Sequence, residues 1–528
     1  MNKHYPYYQH KKLKSFKQFI EVSLKENKDK IAFIYNNENK EEIKITYKEF
    51  YEDVNNLSNY LTHVYKNQHI ALISENSYNY ILLFFSIIIS KNTAVLIDKD
   101  LPEEKIEELL KNSDCKVFFY SEKYNEYNNL KKKYKCHSFS DLIKKSTEKK
   151  YNYKENKVKN KESVIFFTSG TTGANKAVML SEENILSDIY SASSLFKPNG
   201  VVFSCLPFHH AFGLITSVLK PFYYQVPVFI NNSLKYLQKE IRQSKPNTMF
   251  LVPVFIENFY KQIWKSAKAN HNKILLKILI SISNILLTVK IDLRKQLFKK
   301  INSSFGGNLE YIISGGAYLD PKYVKWFRSI GIEILNGYGI TECSPVLAVN
   351  RNNYHKDGSV GQVVKDTEIK ILDNEILVKG KIVMLGYYKD EKSTKEVIKN
   401  GYFHTGDFGY LDSDGFLFIT GRKKNLIILS NGENISPETI EEKLMQDKGV
   451  CEVVIYSKNN KLIAAIYPNE EYIGNKKYFD NLIYKYNQNI PKNHQIAKIN
   501  LWDKELPKNN NRKILRKEVM EEERWKKK

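Results

Sequence analysis

Short apolar runs bounded by polar stretches set the pattern of residues 30–120: Ile31-Ala32-Phe33-Ile34, His69-Ile70-Ala71-Leu72-Ile73 and Val117-Phe118-Phe119-Tyr120. Runs this short, rich in β-branched and aromatic residues, predict strands. Between them, residues 47–64 and 102–112 carry apolar positions at helical spacing, so the alternation predicts βαβ units and a parallel or mixed sheet with helices on its faces. The same alternation resumes over residues 200–340, and from 368 to 385 the strands shorten and lose their helices, which predicts a small β-rich subdomain. Gly421-Arg422-Lys423-Lys424 then puts a glycine and a basic pair between two strand-like runs, and a boundary is expected there. The expected fold is α/β and α+β: a large N-terminal domain of βαβ-type sheets with a small β subdomain over residues 1–423, and a small mobile α+β C-terminal domain over residues 424–528.

Two apolar stretches need separate treatment. Residues 80–90 span about half of the roughly 20 residues a bilayer requires, so they predict a buried helix within a βαβ unit. Residues 274–289 hold apolar side chains at 274, 275, 278, 279, 282, 285, 286 and 289, interrupted by Lys277 and Asn284. That spacing predicts an amphipathic helix packed on the protein's own body, with a membrane-surface element as the alternative.

Composition narrows the field. At 528 residues the chain exceeds one ordinary core, so two or more domains are expected. The formal net charge of +23 raises the question of nucleic acid, but the lysines are spread over the whole chain with no aromatic-interleaved basic motif. A nucleic-acid partner is therefore not expected. A solvated basic surface is, with attraction to anionic membranes or acidic partners as the alternative. Five cysteines without CxxC spacing argue against a disulfide framework and a zinc site. With a polar, basic N-terminal stretch and no secretory signal, the expected location is the cytoplasm, peripheral membrane attachment being the alternative.

The candidate chemistry begins at Thr168-Ser169-Gly170-Thr171-Thr172-Gly173-Ala174-Asn175-Lys176, directly after Val164-Ile165-Phe166-Phe167. Glycines let backbone N–H groups approach an oxyanion, four hydroxyls add rotatable donors, and Lys176 adds charge, so the composition points to phosphate. Its hydroxyls lie inside the loop, unlike the Gly-x4-Gly-Lys-Ser/Thr of a Walker loop. Downstream come Cys205-Leu206-Pro207-Phe208-His209-His210-Ala211-Phe212-Gly213, Ile313-Ser314-Gly315-Gly316-Ala317 and Asn336-Gly337-Tyr338-Gly339-Ile340-Thr341-Glu342-Cys343. Then follow Tyr402-Phe403-His404-Thr405-Gly406-Asp407, Gly421-Arg422-Lys423-Lys424, Asn431-Gly432-Glu433-Asn434, and Leu506-Pro507-Lys508 leading to Arg512-Lys513-Ile514-Leu515-Arg516.

In order and spacing this series resembles the AMP-forming adenylating enzymes, the superfamily of acyl-CoA synthetases, luciferases and peptide-synthetase adenylation domains, from about residue 30 to about residue 516. The resemblance implies ATP, Mg²⁺ and CoA as reactants. It gives Thr168, Ser169, Gly170, Thr171, Thr172, Gly173 and Lys176 to the β- and γ-phosphates, and Thr341 to the α-phosphate. Glu342 goes to the metal, a hard carboxylate for a hard cation. Asp407 and Arg422 go to the ribose, and Tyr338 with Gly315, Gly316 and Ala317 to the adenine. Lys513 is the expected mobile catalytic lysine, acting with Thr341 and His210. Lys424 is the expected hinge and Gly432 the point where pantetheine passes. Asn175 and Arg512 depart from the family's usual proline and glycine, without removing a functional group.

Amino-acid-activating relatives place an aspartate in the loop matching residues 207–210. No acid occurs between Val201 and Phe222, so an amino-acid substrate is disfavoured. His210, Phe212 and Gly213 are the expected acyl-pocket residues, and the apolar company of Phe208, Leu214 and Phe222 suits an alkyl or aryl tail. The chain looks most like bacterial long-chain fatty acyl-CoA ligases, with an acyl carrier protein as the alternative acceptor and a non-catalytic nucleotide-binding homologue as the distant alternative; in that setting residues 274–289 could also serve acyl entry. On this reading Lys513→Ala cuts adenylate formation at least about a hundredfold, the scale of losing a charge stabiliser, while thioester formation from preformed acyl-adenylate survives. Acid-dependent pyrophosphate exchange and single-turnover thioester assays measure the two steps.

Overall fold

The computed structural model describes residues 7–123, 127–152, 161–169, 175–428, 434–458, 461–488, 490–491, 494–508 and 514–525. Two large sheets carry most of the chain. The first runs in the order 362–363, 346–349, 333–339, 311–314, 248–251, 202–204, 228–230, 31–36, 42–46. Its six inner strands are parallel and its margins antiparallel. The second runs 386–387, 175–180, 164–169, 93–97, 69–73, 117–120, 135–138. Its last five strands are parallel, and 175–180 folds back on 164–169 as an antiparallel hairpin.

Strands His69–Ile73 and Thr93–Ile97 are buried at every position, which is why they read as unbroken apolar runs: helices cover both faces. Helix Tyr78–Ile89 makes the crossover between them and is itself buried. Among the described residues no helix is long and apolar enough to cross a membrane. Local sequence starts these helices: Ser77 accepts from the Tyr80 N–H, and Thr46 forms a reciprocal box with Glu49 before helix Tyr47–Val64.

An antiparallel sheet of strands 367–372, 375–380, 402–411 and 417–422 with the short strand 398–399 forms the β-rich part. Beyond it, strands 450–458, 461–468 and 496–501 make a separate three-stranded sheet, against which helices Pro437–Met445 and Lys476–Asn487 pack through Ile440, Leu444, Phe479 and Ile483.

One outcome differs from the sequence expectation. Helix Lys273–Thr288 exists, but it packs inward through Leu276, Leu279, Ile280 and Ser283, while Ile274, Leu275, Ile278, Ile282, Ile285 and Val289 point to solvent. Six of the eight positions read as the packing face lie outside, with Leu279 and Leu286 partly buried at its margin. The helix is apolar on two sides, and periodicity identifies a stripe without saying which stripe meets the core.

The largest core has a visible centre. The ring of Phe222 lies 4.9–5.7 Å, centroid to centroid, from Phe19, Phe33, Tyr47, Phe50 and Phe85, joining the first sheet to helices 16–27, 47–64 and 78–89. Such aromatic clusters combine large buried area with edge-on contacts. Phe222→Ala is expected to cost about 3–5 kcal/mol, read as a lower midpoint in urea unfolding of the large domain.

Candidate active site

In open parallel sheets, the C-terminal strand ends leave loops free to gather functional groups. Here strand 202–204 ends into the 205–213 loop, strand 311–314 into Gly315-Gly316-Ala317, and strand 333–339 into Thr341-Glu342. The 164–169/175–180 hairpin pairs Thr168 with Lys176 and Ser169 with Asn175, so its hydroxyl-rich run joins two strands where a Walker loop would open a helix. Gly170, Thr171, Thr172 and Gly173 lie outside the described residues, as do Gly432 and Lys513. Lys508 and Ile514, the described residues flanking Lys513, pair with each other.

Asp407 and Arg422 are cross-strand partners of the antiparallel sheet. Arg422 Nε donates to Asp407 Oδ1 at 2.7 Å, and Tyr338 Oη donates to Oδ2 at 2.6 Å. A carboxylate offers about four lone-pair positions, so a buried Asp407 keeps acceptor capacity for further hydroxyls. Burial and then Asp407 push the Tyr338 phenol well above its ordinary range, which keeps it a donor. The turn beneath is fixed by Glu375, which accepts from the Gly406 N–H at 3.1 Å and from Lys423 Nζ at 2.9 Å. Lys424 stands next in the chain. Burial first, then the Arg422 guanidinium, draws its ammonium below the ordinary value, against the pull of Asp407 and Glu342.

A second group forms around Tyr387, which the sequence reading missed. Its ring lies 4.4 Å from Lys176 Nζ, and its hydroxyl donates to Glu342 Oε1 at 2.9 Å. Strand 386–387 extends the hairpin sheet, so one tyrosine ties the hairpin to the carboxylate of the other sheet. Met384 N–H donates to the Glu342 carbonyl at 2.8 Å. Behind them, Asn184 Nδ2 donates to the carbonyls of Lys381 and Val383 at 2.8 and 2.9 Å, and Asp188 Oδ1 accepts from Val346 N–H at 2.9 Å. Both residues were missed. An Asn and an Asp four apart on a helix facing the core were the available signal, since buried polar side chains need partners.

The 205–213 loop is clamped by Asn76, which donates to Leu206 O at 2.8 Å and accepts from Phe208 N–H at 2.9 Å. The His209 and His210 rings lie 4.2 Å apart, and burial, then His210, pulls His209 well below its ordinary value. Asp98, from the end of a strand in the other sheet, comes within 3.7 Å of His209 Nε2. The loop's own sequence holds no acid, yet the fold supplies one nearby. The edge of Phe212 fills the space above Gly315, where an added Cβ would sit 2.8 Å from its ring, while Gly213 lets the Pro207 carbonyl approach to a distance no side chain would permit. Gly316 takes a positive φ of 81°, and it and Ala317 are exposed. Ser314 Oγ, at the end of its strand, and Asn336 Oδ1, opposite it within the next strand, are buried with no partner among the described residues, leaving polar atoms for a ligand.

A glycine-lined shelf, a carboxylate with two donors and a lysine-bearing hairpin, drawn from three sheets, are thus tied to the strands 311–314 and 333–339 and the turns that follow them. The chain belongs to the AMP-binding enzyme family, which residues 20–388 match, and residues 424–523 match the AMP-binding enzyme C-terminal domain. Among curated proteins it is 30% identical over 323 residues to a long-chain-fatty-acid–CoA ligase, FadD15, of Mycobacterium bovis, covering 58% of this chain and 54% of that one. It is 29% identical over 381 residues to the chloroplastic long-chain-fatty-acid–[acyl-carrier-protein] ligase AEE15 of Arabidopsis thaliana, covering 58% and 51%. The chain thus matches about half the length of these relatives. Its fold is shared by the anthranilate CoA ligase AuaEII in complex with anthranoyl-AMP (TM-score 0.78, 17% identity, 97% and 98% of the two chains). It is shared too by the o-succinylbenzoate CoA synthetase of Bacillus subtilis bound to its acyl-adenylate (TM-score 0.74, 20% identity, 95% and 97%).

The C-terminal part meets the rest through Ser436 Oγ, which donates to Thr420 O at 2.9 Å, and through Lys322 Nζ, which donates to Met445 O at 3.1 Å. Near this junction burial, then Glu438, Glu441 and Asp320, pushes the Glu442 carboxyl up to about 7 from 4.5. A raised folded-state value means the unfolded chain releases its proton first, so this contribution to stability is present below pH 4.5 and lost as pH rises toward 7. Glu442→Gln is expected to melt like the wild type at pH 4 and above it at pH 8 in calorimetry; an equal offset at both pH values contradicts the assignment.

Proposed function

We propose that this protein activates a carboxylic acid, a medium- or long-chain fatty acid, with ATP and then transfers the acyl group to the thiol of CoA. The observation that carries this reading is the pair of groups built on strand 333–339 and the turn after it, Tyr338–Asp407–Arg422 and Lys176–Tyr387–Glu342, each drawing its other members from a different sheet. In the first step a substrate carboxylate oxygen bonds to the α-phosphorus of ATP and the bond to pyrophosphate breaks, giving acyl-AMP. In the second, the CoA sulfur bonds to the acyl carbon, AMP leaves with the bonding pair, and the thiol proton passes to solvent.

Both steps concentrate negative charge, so the site's task is electrostatic. Asp407 accepts the ribose hydroxyls while Tyr338 and Arg422 hold its orientation. The exposed Gly316 and Ala317 leave the adenine edge an open backbone shelf, with Gly315 packed under Phe212 behind them and Ser314 and Asn336 as polar neighbours whose Oγ and Oδ1 lack protein partners. Thr341 addresses the α-phosphate, and Thr168, Ser169, Gly170, Thr171, Thr172, Gly173 and Lys176 the departing phosphates. Among the described residues no cluster of three or more metal-ligating side chains exists. A lone carboxylate completed by substrate phosphates is the usual way proteins hold Mg²⁺, and Glu342 fits that role, where the ion would neutralise the leaving pyrophosphate. Lys513 bridges the reacting anions in the first step; turning about Lys424 replaces it with the segment containing Gly432 for the second. His210, Phe212 and Gly213 shape the acyl side. We place the domain boundary at residues 423/424 for the same reason.

Transfer to an acyl carrier protein is the second reading, favoured by the +23 charge, since carrier proteins are acidic, and by the carrier-protein ligase among the relatives. Acid-dependent pyrophosphate exchange across short, medium, long, aryl and amino acids tests the first step, and CoA against carrier protein tests the second. Exchange driven by amino acids alone, through Asp98, would sink the fatty-acid reading. Tyr387→Phe keeps the ring beside Lys176 but removes the hydrogen bond to Glu342, a bond to a charged group, and is expected to lower exchange about tenfold. Its deficit should shrink as Mg²⁺ is raised.

A further inference from the structure

Helix Lys273–Thr288 carries an apolar face that none of the described residues covers. Ile274, Leu275, Ile278, Ile282, Ile285 and Val289 fall within an arc of about 100° at 3.6 residues per turn, on the side away from the packed Leu276, Leu279 and Ser283. Ile274, Ile285 and Val289 are 74%, 65% and 61% exposed, and Ile291 and Leu293 extend the patch. Eight of the nineteen exposed large apolar side chains among the described residues therefore lie within twenty consecutive positions. Apolar residues scattered singly over a surface need no explanation, but a contiguous patch of this kind marks an interaction site.

Charge selects the occupant. Between residues 258 and 309 the chain holds nine lysines and one arginine against a single acid, Asp292. That acid is already paired with Arg294 at 2.8 Å. All nine lysines are exposed. A second copy of this chain would bring two such collars together across a two-fold axis, placing like charges face to face. A surface of anionic headgroups over hydrocarbon matches both features at once: phosphates for the lysines, acyl chains for the stripe. The helix has 16 residues and carries Lys277 within it, so it suits lying in the interface plane and is too short to span.

We propose that helix Lys273–Thr288 docks this protein on an anionic lipid bilayer, its outward aliphatic stripe entering the headgroup boundary and the surrounding lysines pairing with lipid phosphates. Docking is independent of the reaction proposed above, and places the protein beside the phase into which an apolar acid partitions.

Co-sedimentation of the full chain, without ATP or acid, with vesicles of phosphatidylcholine alone and of phosphatidylcholine mixed with phosphatidylglycerol tests this. Binding is expected to the mixed vesicles only and to weaken with salt. Ile278→Glu combined with Ile285→Glu, both at exposed positions, is expected to weaken it at least about tenfold. Replacing Lys273, Lys277 and Lys290 by Gln should weaken it and flatten its salt dependence. Pyrophosphate exchange with a water-soluble acid should be unchanged in all these variants, which separates a docking defect from misfolding. No binding to anionic vesicles, or full binding by the double glutamate variant, overturns the proposal. So does a dimer in sedimentation velocity that the glutamates dissociate without affecting vesicle binding, which assigns the stripe to a second copy. A chain that binds vesicles but exchanges no pyrophosphate refutes the ligase reading and leaves the docking intact.

Discussion

One buried helix, Glu182–Ser193, holds the site together. It packs among the residues of the largest core, and its polar side chains reach out to backbone that would otherwise lack partners. Asn184 satisfies two carbonyls of the 381–383 segment and Asp188 satisfies the amide of Val346. Those two segments flank Thr341-Glu342, and Met384 N–H closes the frame on the Glu342 carbonyl. Leaving such groups unpaired in a buried setting costs far more than a surface bond contributes, so the arrangement is tightly specified. Burial pushes the Asp188 carboxyl well above its ordinary value, with Lys220 and the Val346 amide opposing, a sign of how little water reaches this frame.

On that frame the charged groups already engage one another. Asp407 holds Tyr338 and Arg422, and Lys176 rests against the ring whose hydroxyl meets Glu342. Each side chain is oriented by a neighbour, so a ligand meets donors and acceptors already in place, which is how a polar site gains strength without reorganising. The C-terminal part touches the rest through side-chain-to-backbone bonds such as those of Ser436 and Lys322, and near them Glu442 lies buried among Glu438, Glu441 and Asp320.

Much of this was legible in the sequence, for a stated reason. Glycines, hydroxyls and charged residues crowded into short runs at strand ends have few structural explanations, so Thr168 to Lys176, Thr341-Glu342 and Asp407 announced themselves. Tyr387, Asn184, Asp188 and Asp98 did not. Each is an ordinary residue within its own segment and acquires meaning only from a group far along the chain, 45 positions away for Tyr387 and Glu342. The absence of an acid in the 205–213 loop was read from the sequence. That Asp98 comes within 3.7 Å of His209 was not, because it arrives from a different sheet.

Helix 273–288 draws the same line most sharply. Periodicity alone determined that these residues form a helix with an apolar stripe, because side chains three and four apart share a face whatever surrounds them. Which stripe is inside was decided by tertiary packing, since Leu276 and Ser283 meet the first sheet's helices and the broader stripe is left facing water. Strand and helix identity, the glycine- and hydroxyl-rich composition of the 168–176 run and the family follow from local chemistry read along the chain. The partners of Glu342 and Asp407, the acid beside His209 and the outward face of that helix depend on long-range contacts, which are settled only when the sheets close on one another.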